Sequence, residues 1–351
     1  MRTLMGAECF FYEVSMYCLN WARAYPFPEA KASFKQTPED FEVHEFFNTP
    51  FSGSGEHLVV QIEKKGLTTE EVMRALARQA QVPLKAIGHA GLKDRQAVAT
   101  QWLSIHVPGA EIPEIDSFCA PGWRVLSSTR HHKKLRPGYL SGNRFVIRLH
   151  QLTHPQAFIE RLEQINISGV PNYFGEQRFG KNGNNLQQAE LLFCKKIRVS
   201  NPLLRGIYYS AARSWIFNSI LSKRVAAGNW DKALPGDVVQ LQGSQSIFTA
   251  YEITPEIIHR IETHDLSPAS PLPGKKKSAR IELELIQALY DEHHEWILAL
   301  SEAGMEEVWR TNRLDVEDLQ YSIENNCAEL RFALPPGSYA TAIIRELIAE
   351  H

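Results

Sequence analysis

Alternation of apolar and polar residues predicts β-strands near both ends of the chain. Residues 144–150 show the pattern clearly, because Phe145, Ile147 and Leu149 are apolar and Arg148 between them is charged. Successive side chains of a strand point to opposite faces, so such a segment covers a core with one face only. Comparable patterns predict strands over 57–63, 101–107 and 123–129, and hairpins over 237–253 and over 319–324 with 327–334.

Apolar residues spaced three or four apart predict helices, most of them in the middle of the chain. Thr68 and Glu71 have the spacing of a helix capping box. Val72 and Leu76 continue one apolar face from that point, which predicts a helix over 69–81. Strand-rich ends around a helix-rich middle favour an α+β fold with an insertion. Further helices are predicted over 155–166, 186–197, 208–227, 281–302 and 339–349.

Length and composition are those of an intracellular enzyme of about two domains. The chain has 351 residues, of which 44% are hydrophobic, so it can bury a sizeable core. Its five cysteines include no C-x-x-C pair, which argues against a disulfide framework or a zinc knuckle. Glu8 and Glu13 interrupt the apolar N-terminal stretch before a signal peptide or membrane span forms. We therefore expect a cytoplasmic protein without membrane contact.

The distribution of charge is more informative than the net charge of −2. Residues 130–144 contain five Lys or Arg, two His and no acidic residue. Such a segment can neutralise phosphates and give salt-dependent affinity for RNA, with Lys133, Lys134 and Arg136 as the predicted contacts. The alternative is an ordinary solvated loop.

One charged glycine turn has the composition of a catalytic site. In the segment from Gly91 to Gln101, Asp94 lies between Lys93 and Arg95, just before a predicted strand. Neighbouring cations favour the charged form of a carboxylate, and an ionised Asp94 suits a nucleophile or a base. From the spacing alone, a solvated loop with three charges is the more common interpretation, because charged glycine turns are frequent.

Five segments together resemble the TruD family of tRNA pseudouridine synthases. In this family the Asp of a G-x-K-D-x-x-A-x-x-x-Q pattern is the essential residue, which corresponds to Asp94 here. The resemblance covers nearly the whole chain from about Lys31, and the segments occur in the family's order: 35–43, 91–101, 141–145, 169–180 and 334–341.

The resemblance implies an α+β fold built around a mixed, mostly antiparallel pseudouridine-synthase sheet. A second α/β domain, the TRUD domain, interrupts the catalytic domain of this family. Residues 31–168 and 314–351 are then expected to form the catalytic domain, and 169–313 the inserted domain. Residues 1–30 lie outside the resemblance and are expected to form a variable extension.

The implied reaction converts uridine to pseudouridine in tRNA, and the family's target is position 13 in the D arm. Asp94 would either attack C1′ as a nucleophile or remove the 2′ proton to give a glycal, and the sequence leaves both routes open. Neither route needs a metal or an organic cofactor. The chain shows no Walker loop and no metal-ligand spacing, so we expect neither.

The matched motifs also imply a pocket for a base taken out of its stack. Phe41, Phe145 and Tyr339 are candidates for stacking, although Phe145 is equally well explained as a core residue. Asn143 could bond the uracil edge or Asp94, and its alternative is ordinary turn chemistry. The family often has Phe at the position of Tyr339. Lys35 matches a basic position that lies near the catalytic acid.

We therefore expect a monomeric tRNA-modifying enzyme, and two rival functions remain. An RNA-binding or chaperone module would not need an intact Asp94 motif. A nucleoside hydrolase or glycosylase would need a second carboxylate or a metal-binding Asp cluster.

Overall fold

The computed structural model describes residues 17, 19–109, 114–276 and 283–350, so most of the expected extension over 1–30 lies outside them. The chain divides into two compact units. The sheet unit combines Ala24–Asn172 with Arg313–His351, and the helical unit combines the chain up to Arg23 with Tyr173–Asn312.

The described residues contain strands and helices with the following bounds. The strands are β1 Lys31–Phe34, β2 Phe41–Phe46, β3 His57–Lys65, β4 Ile87–His89, β5 Val98–His106, β6 Cys119–Ala120, β7 Trp123–His131, β8 Gly142–His150, β9 Val170–Pro171, β10 Asp237–Leu241, β11 Ile247–Ala250, β12 Leu266–Leu272, β13 Val308–Thr311, β14 Arg313–Leu314, β15 Glu317–Glu324, β16 Cys327–Leu334 and β17 Ala349–Glu350. The helices are α1 Thr69–Gln79, α2 Pro155–Ser168, α3 Asn184–Phe193, α4 Pro202–Ala226, α5 Pro255–Glu262, α6 Glu284–Glu292, α7 His294–Glu302 and α8 Ala340–Leu347.

A large mixed sheet forms the body of the sheet unit. Its strand order is β15-β16-β8-β2-β5-β3-β7-β6, and β1, β4 and β17 pair outside this path. The pairs β2 with β5 and β1 with β17 are parallel, and the other pairs in the sheet are antiparallel. The α+β fold with a mixed, mostly antiparallel sheet is thereby confirmed.

Helices cover the sheet at two separate apolar clusters. The first contains side chains of β2, β8 and β16 together with Phe158 of α2 and Ile343 of α8. The second contains side chains of β3, β5 and β7 together with Val72 and Leu76 of α1. The buried positions alternate along β8, as the sequence pattern predicts, so Phe145, Ile147 and Leu149 all belong to the first cluster.

The N-terminus of α1 confirms the predicted capping box. The Thr68 hydroxyl accepts a hydrogen bond from the Glu71 amide at 3.2 Å, and the Glu71 carboxylate accepts one from the Thr68 amide at 2.6 Å. Two amide groups at the start of the helix, which have no partner within it, are satisfied in this way. The cap fixes where the chain turns from the end of β3 into α1.

The helical unit contains the antiparallel sheet β11-β10-β12-β13 and helices α3 to α7. Asn201 caps the long helix α4 by accepting from the amides of Leu203 and Leu204. Near the end of α4, Arg224 forms two hydrogen bonds with Asp237 of β10, at 2.7 and 2.8 Å. Both side chains are almost completely buried, so this pair joins helix and sheet inside the unit.

The prediction of one helix over 281–302 is wrong. Residues 281 and 282 lie outside the described residues, and the rest forms α6 and α7 with a break at His293, whose φ of −112° is not helical. The ring of His293 packs edge-on against Trp215 at 5.0 Å and lies 5.6 Å from Trp296. The periodicity of residues 281–302 predicts a continuous helix. In the structure, the helix breaks at His293, the residue that packs against these two rings.

Among the described residues, no helix is both long enough and apolar enough to cross a membrane.

Candidate active site

Asp94 lies in the loop of residues 90–97 that joins β4 to β5, here called the Asp94 loop. Its side chain is exposed to solvent. Its main chain is held from inside the sheet, because the Lys64 ammonium donates a hydrogen bond of 2.6 Å to the Asp94 carbonyl oxygen. The same ammonium donates to the Leu67 carbonyl at 2.8 Å, so Lys64 ties the Asp94 loop to the turn that follows β3.

Lys64 occupies a core position of its strand. Leu58, Val60 and Ile62 are buried along one face of β3, and Lys64 follows in the same alternation with no exposed surface. Burial lowers the pKa of Lys64 from 10.5 to about 8, and the nearby charge of Asp94 opposes that change. A lysine that is cationic at neutral pH therefore lies beneath the loop that carries the carboxylate.

Lys93 lies at the centre of a buried cluster of polar side chains, separate from the contacts of Lys64. Its ammonium lies 3.0 Å from a carboxylate oxygen of Glu45 and donates to the amide oxygen of Asn143 at 2.5 Å. The other Glu45 oxygen accepts from the Trp102 amide at 2.8 Å. Burial raises the pKa of Glu45, and the Lys93 charge and the Trp102 amide oppose this effect.

The bases that flank Asp94 in sequence therefore pair with other acids. Besides the pairing of Lys93 with Glu45, the Arg95 guanidinium lies 3.9 Å from Glu71 and donates to the Gly66 carbonyl at 2.9 Å. The sequence predicts that Lys93 and Arg95 keep Asp94 ionised, and in the structure their ion pairs are with Glu45 and Glu71. The cation with a direct hydrogen bond to the Asp94 main chain is Lys64.

Asn143 reaches the cluster around Lys93 through the register of the sheet. It lies opposite Glu45 of β2 on one side and opposite Leu334 of β16 on the other. A side chain at Gly142 would place its Cβ 2.6 Å from the Phe46 ring and 2.8 Å from the Leu334 carbonyl, so only glycine fits before Asn143. The Asn143 oxygen faces a donor, which leaves its NH₂ group pointing away from Lys93.

Tyr339 follows β16 by five residues and immediately precedes α8, where it is half-buried. The strand β16 that precedes it ends at Leu334, which lies opposite Asn143. The main chain of Tyr339 starts the helix by accepting from the Ala342 amide at 3.0 Å.

Phe41 and Phe145 lie in the core of the sheet unit. Each is 5% exposed, and their rings meet edge-to-face at 5.8 Å. Phe145 also stacks on Phe332 at 5.5 Å, and the Lys35 ammonium lies 4.2 Å from the centre of the Phe41 ring. In this structure the two phenylalanines thus support the sheet, and Lys35 covers one edge of that aromatic group.

The basic segment 130–144 divides between packed and exposed residues. Lys133 and Arg136 are exposed, whereas Lys134 is half-buried and donates to the Lys85 carbonyl at 2.6 Å. Exposed cations on a loop can meet phosphates without loss of structure. Lys133 and Arg136 are therefore better placed for RNA than Lys134.

Comparison with known proteins gives matches over almost the whole chain. A family model described as tRNA pseudouridine synthase D (TruD) matches residues 23–190 and 183–347. The chain belongs to the TruD family.

Two curated relatives show how far the similarity to the TruD family extends. A tRNA pseudouridine synthase D of Legionella pneumophila (strain Corby) is 51% identical over 336 residues, which cover 95% of this chain and 99% of the relative. One of Hydrogenovibrio crunogenus is 41% identical over 334 residues, covering 93% of this chain and 96% of the relative.

A solved structure shows that the fold is shared as well. The crystal structure of the putative tRNA pseudouridine synthase D (TruD) from Methanosarcina mazei superposes with a TM-score of 0.67 and covers 93% of this chain and 95% of that one. The two sequences are only 22% identical, so this match concerns the fold.

Sequence reasoning within the TruD motifs missed two residues of the site. Lys64 and Glu45 are charged residues at buried strand positions, in phase with apolar neighbours. A charge at a core position is rare unless it is paired, and that pattern is a detectable sign of a polar site. Together with Lys93 and Asn143, these two residues form a polar row at the Asp94 loop.

Proposed function

We propose that this protein isomerises uridine to pseudouridine in tRNA and that Asp94 is the catalytic carboxylate. One observation carries the proposal: the exposed Asp94 side chain stands on a loop fixed by Lys64, next to the Lys93–Asn143 hydrogen bond. A nucleophile must be both accessible and held in place. The exposure of the Asp94 side chain meets the first requirement, and the Lys64 bond to its main chain meets the second. The family supplies the substrate class.

The reaction needs one carboxylate because uracil is a good leaving group. The C1′–N1 bond breaks with its electron pair passing to the base, which leaves as a resonance-stabilised anion. Asp94 either forms an ester at C1′ or removes the 2′ proton to give a glycal. The base then turns over and C5 bonds to C1′, which breaks the ester bond to Asp94 on the first route and is accompanied by return of the proton from Asp94 to C2′ on the second. Finally, C5 loses its proton and N1 gains one. Water must be excluded throughout, because hydrolysis would leave an abasic site.

Asn143 is the donor that we assign to the uracil edge. Its oxygen accepts a hydrogen bond from Lys93, so in this proposal the NH₂ group is the part of the amide that donates to a uracil carbonyl. Tyr339 provides a half-buried aromatic ring for stacking. Phe41 and Phe145 are buried and Lys35 lies over the Phe41 ring, so in this proposal they support the substrate pocket and do not stack directly on the base.

The RNA partner follows from the family and from the basic segment. We assign catalysis to the sheet unit and propose that Lys133 and Arg136 meet tRNA phosphates, with position 13 of the D arm as the target. We propose that the enzyme acts as a cytoplasmic monomer. Neither the carboxylate chemistry nor the polar row requires a metal or an organic cofactor.

Replacement of Asp94 by Asn tests the assignment. The variant keeps the size of the side chain and loses the charge, so pseudouridine formation should fall to background while tRNA affinity stays within a few-fold. The exposed Asp116→Asn serves as the matched control and should behave like wild type. Both are measured by mapping pseudouridine in tRNA treated with purified protein.

Turnover by Asp94→Asn at more than about one-hundredth of the wild-type rate would contradict a catalytic role, since loss of an essential catalytic group typically costs more than this. The rival functions predict different products. A nucleoside hydrolase would release free uracil, and an RNA-binding module would leave the base composition of the tRNA unchanged.

A further inference from the structure

Lys64, the buried cation beneath the Asp94 loop, has no part in the chemistry described above. Lys64 has no exposed surface, so it cannot contact RNA directly. Its ammonium bonds to two main-chain oxygens, those of Leu67 and Asp94, which belong to different segments of the chain. Burying a charged lysine is unfavourable unless it is hydrogen-bonded, and the bonds to these two oxygens compensate for the lost contact with water.

We propose that Lys64 is a positioning residue for Asp94, holding the main chain of the Asp94 loop from within the sheet and placing a positive charge beneath the carboxylate. The inference rests on the proposed role of Asp94. It adds to the reaction a residue that lies outside the five segments that resemble the family.

The bond from Lys64 is one of several contacts that join the Asp94 loop to the residues following β3. The Arg95 side chain donates to the Gly66 carbonyl at 2.9 Å, and the Lys93 amide donates to the Thr69 hydroxyl at 3.0 Å. These bonds join the Asp94 loop to the turn between β3 and α1 on both sides of Asp94. Lys64 bonds to the carbonyl of Asp94 itself, between them.

Three neighbouring charged residues act on the protonation of Lys64. Asp94 and Glu71 favour its cationic form, whereas Lys93 and burial oppose it. A methylene chain packed in the sheet fixes the ammonium more firmly than a surface lysine would be fixed, since the four-carbon stem can no longer rotate freely. The cation therefore acts at a constant position relative to the loop, which is what preorganisation of a nucleophile requires.

The principal test compares Lys64→Met with Lys65→Met. Lys65 is the next residue of β3, but its side chain is about half exposed and pairs with Glu39, so it serves as the matched control. Single-turnover pseudouridine formation at saturating tRNA should fall by roughly 100-fold in Lys64→Met, the order of loss expected when a nucleophile is misplaced by about 1 Å. The tRNA affinity of both variants should remain within threefold of wild type.

Two readouts separate positioning from general loss of structure. Hydrogen exchange of the amides in residues 90–97 should be at least tenfold faster in Lys64→Met, while exchange in α2 and α8 is unchanged. The wild-type rate should fall as the pH rises through about 8, where Lys64 loses its proton, and this decrease should be absent from Lys64→Met.

A more conservative pair covers the case in which Lys64→Met does not fold. Lys64→Arg keeps a permanent charge and Lys64→Gln keeps only a neutral donor. At equal folded fraction, the Arg variant should be at least tenfold faster than the Gln variant. Equal rates for the two would overturn the proposal, as would a Lys64→Met rate within fivefold of wild type.

Failure of this inference differs from failure of the proposed function. If Asp94→Asn is inactive and Lys64→Met is fully active, only the role of Lys64 is refuted. If wild-type protein forms no pseudouridine, the proposed function fails, and the exchange rates of residues 90–97 still show whether Lys64 holds the loop.

Discussion

Glu45→Gln is the substitution for which the structure makes the sharpest stability prediction. Each oxygen of the Glu45 carboxylate faces a donor, with the Trp102 amide at 2.8 Å and the Lys93 ammonium at 3.0 Å. Glutamine offers one oxygen and one NH₂ group. Whichever way its amide is turned, the NH₂ group meets a second donor, so one of the two interactions becomes repulsive.

The expected loss follows from burial of the pair. The Glu45 side chain is 0% exposed and that of Lys93 is 7% exposed, so solvent cannot take the place of the missing acceptor. Removing one partner of such a pair costs about 3–5 kcal/mol. For a unit the size of the sheet unit, that loss corresponds to a decrease in melting temperature of roughly 6–20 °C.

A double-mutant cycle with Lys93→Met isolates the interaction. In the double variant, the glutamine oxygen can accept from Trp102 and no ammonium faces its NH₂ group, so the double variant should be more stable than Glu45→Gln alone. Glu42→Gln is the control on the same strand. Its partly exposed pair with Arg148 should contribute about 1 kcal/mol or less.

The measurement is denaturant unfolding of all four proteins of the cycle, with the circular dichroism signal followed at one temperature. Losses of free energy that simply add would show that Glu45 and Lys93 do not interact. A Glu45→Gln loss no larger than that of Glu42→Gln would show that the charge of the pair is not buried in solution.

Three further predictions concern other parts of the molecule. Replacing Lys133 and Arg136 with Ala should reduce the salt dependence of tRNA binding by roughly one unit of slope for each phosphate that is no longer neutralised; an unchanged slope in binding titrations would place both residues outside the RNA interface. Asp237→Asn should lower the free energy of unfolding of the helical unit by about 3–5 kcal/mol, because it leaves the buried Arg224 without its counter-charge; a loss below about 1 kcal/mol in urea unfolding would contradict this. Wild-type protein should gain up to about 3 kcal/mol of stability relative to Lys64→Met as the pH rises from about 8 to 10.5, since the unfolded chain keeps the proton that folded Lys64 releases; denaturant titrations at the two pH values test the sign.

Local patterns predicted most of the secondary structure because each depends on a few neighbouring residues. The hairpin of β15 and β16 and the capped helix α1 have the bounds that alternation and the capping box indicate, within two residues. The segment 281–302 was predicted wrongly, and its break lies at His293, which packs against Trp215, far away in sequence. The periodicity of a segment depends only on its own residues, so it cannot predict a contact with a distant one.

The polar row shows a different limit. Asp94 and Asn143 could be named from their motifs, but the Lys93–Asn143 contact spans fifty residues and the Lys64–Asp94 contact spans thirty. Which groups Lys64 and Glu45 face is decided by the register of β2, β3, β5 and β8, and a shift of one residue would exchange buried and exposed faces. Sequence order suggested Lys93 and Arg95 as partners of Asp94, whereas register brings Lys64 to its main chain.

The location of this row also explains why charged residues persist in the middle of a sheet. Glu45 lies on β2 among the strands of the first apolar cluster, and Lys64 lies on β3 among those of the second. A continuous core of well-packed apolar residues would be at least as stable as buried ion pairs. Stability therefore does not account for these three residues. Lys64 bonds to the main chain of the Asp94 loop, and Lys93 of that loop pairs with Glu45 and bonds to Asn143, so the three residues contribute to the geometry of the site.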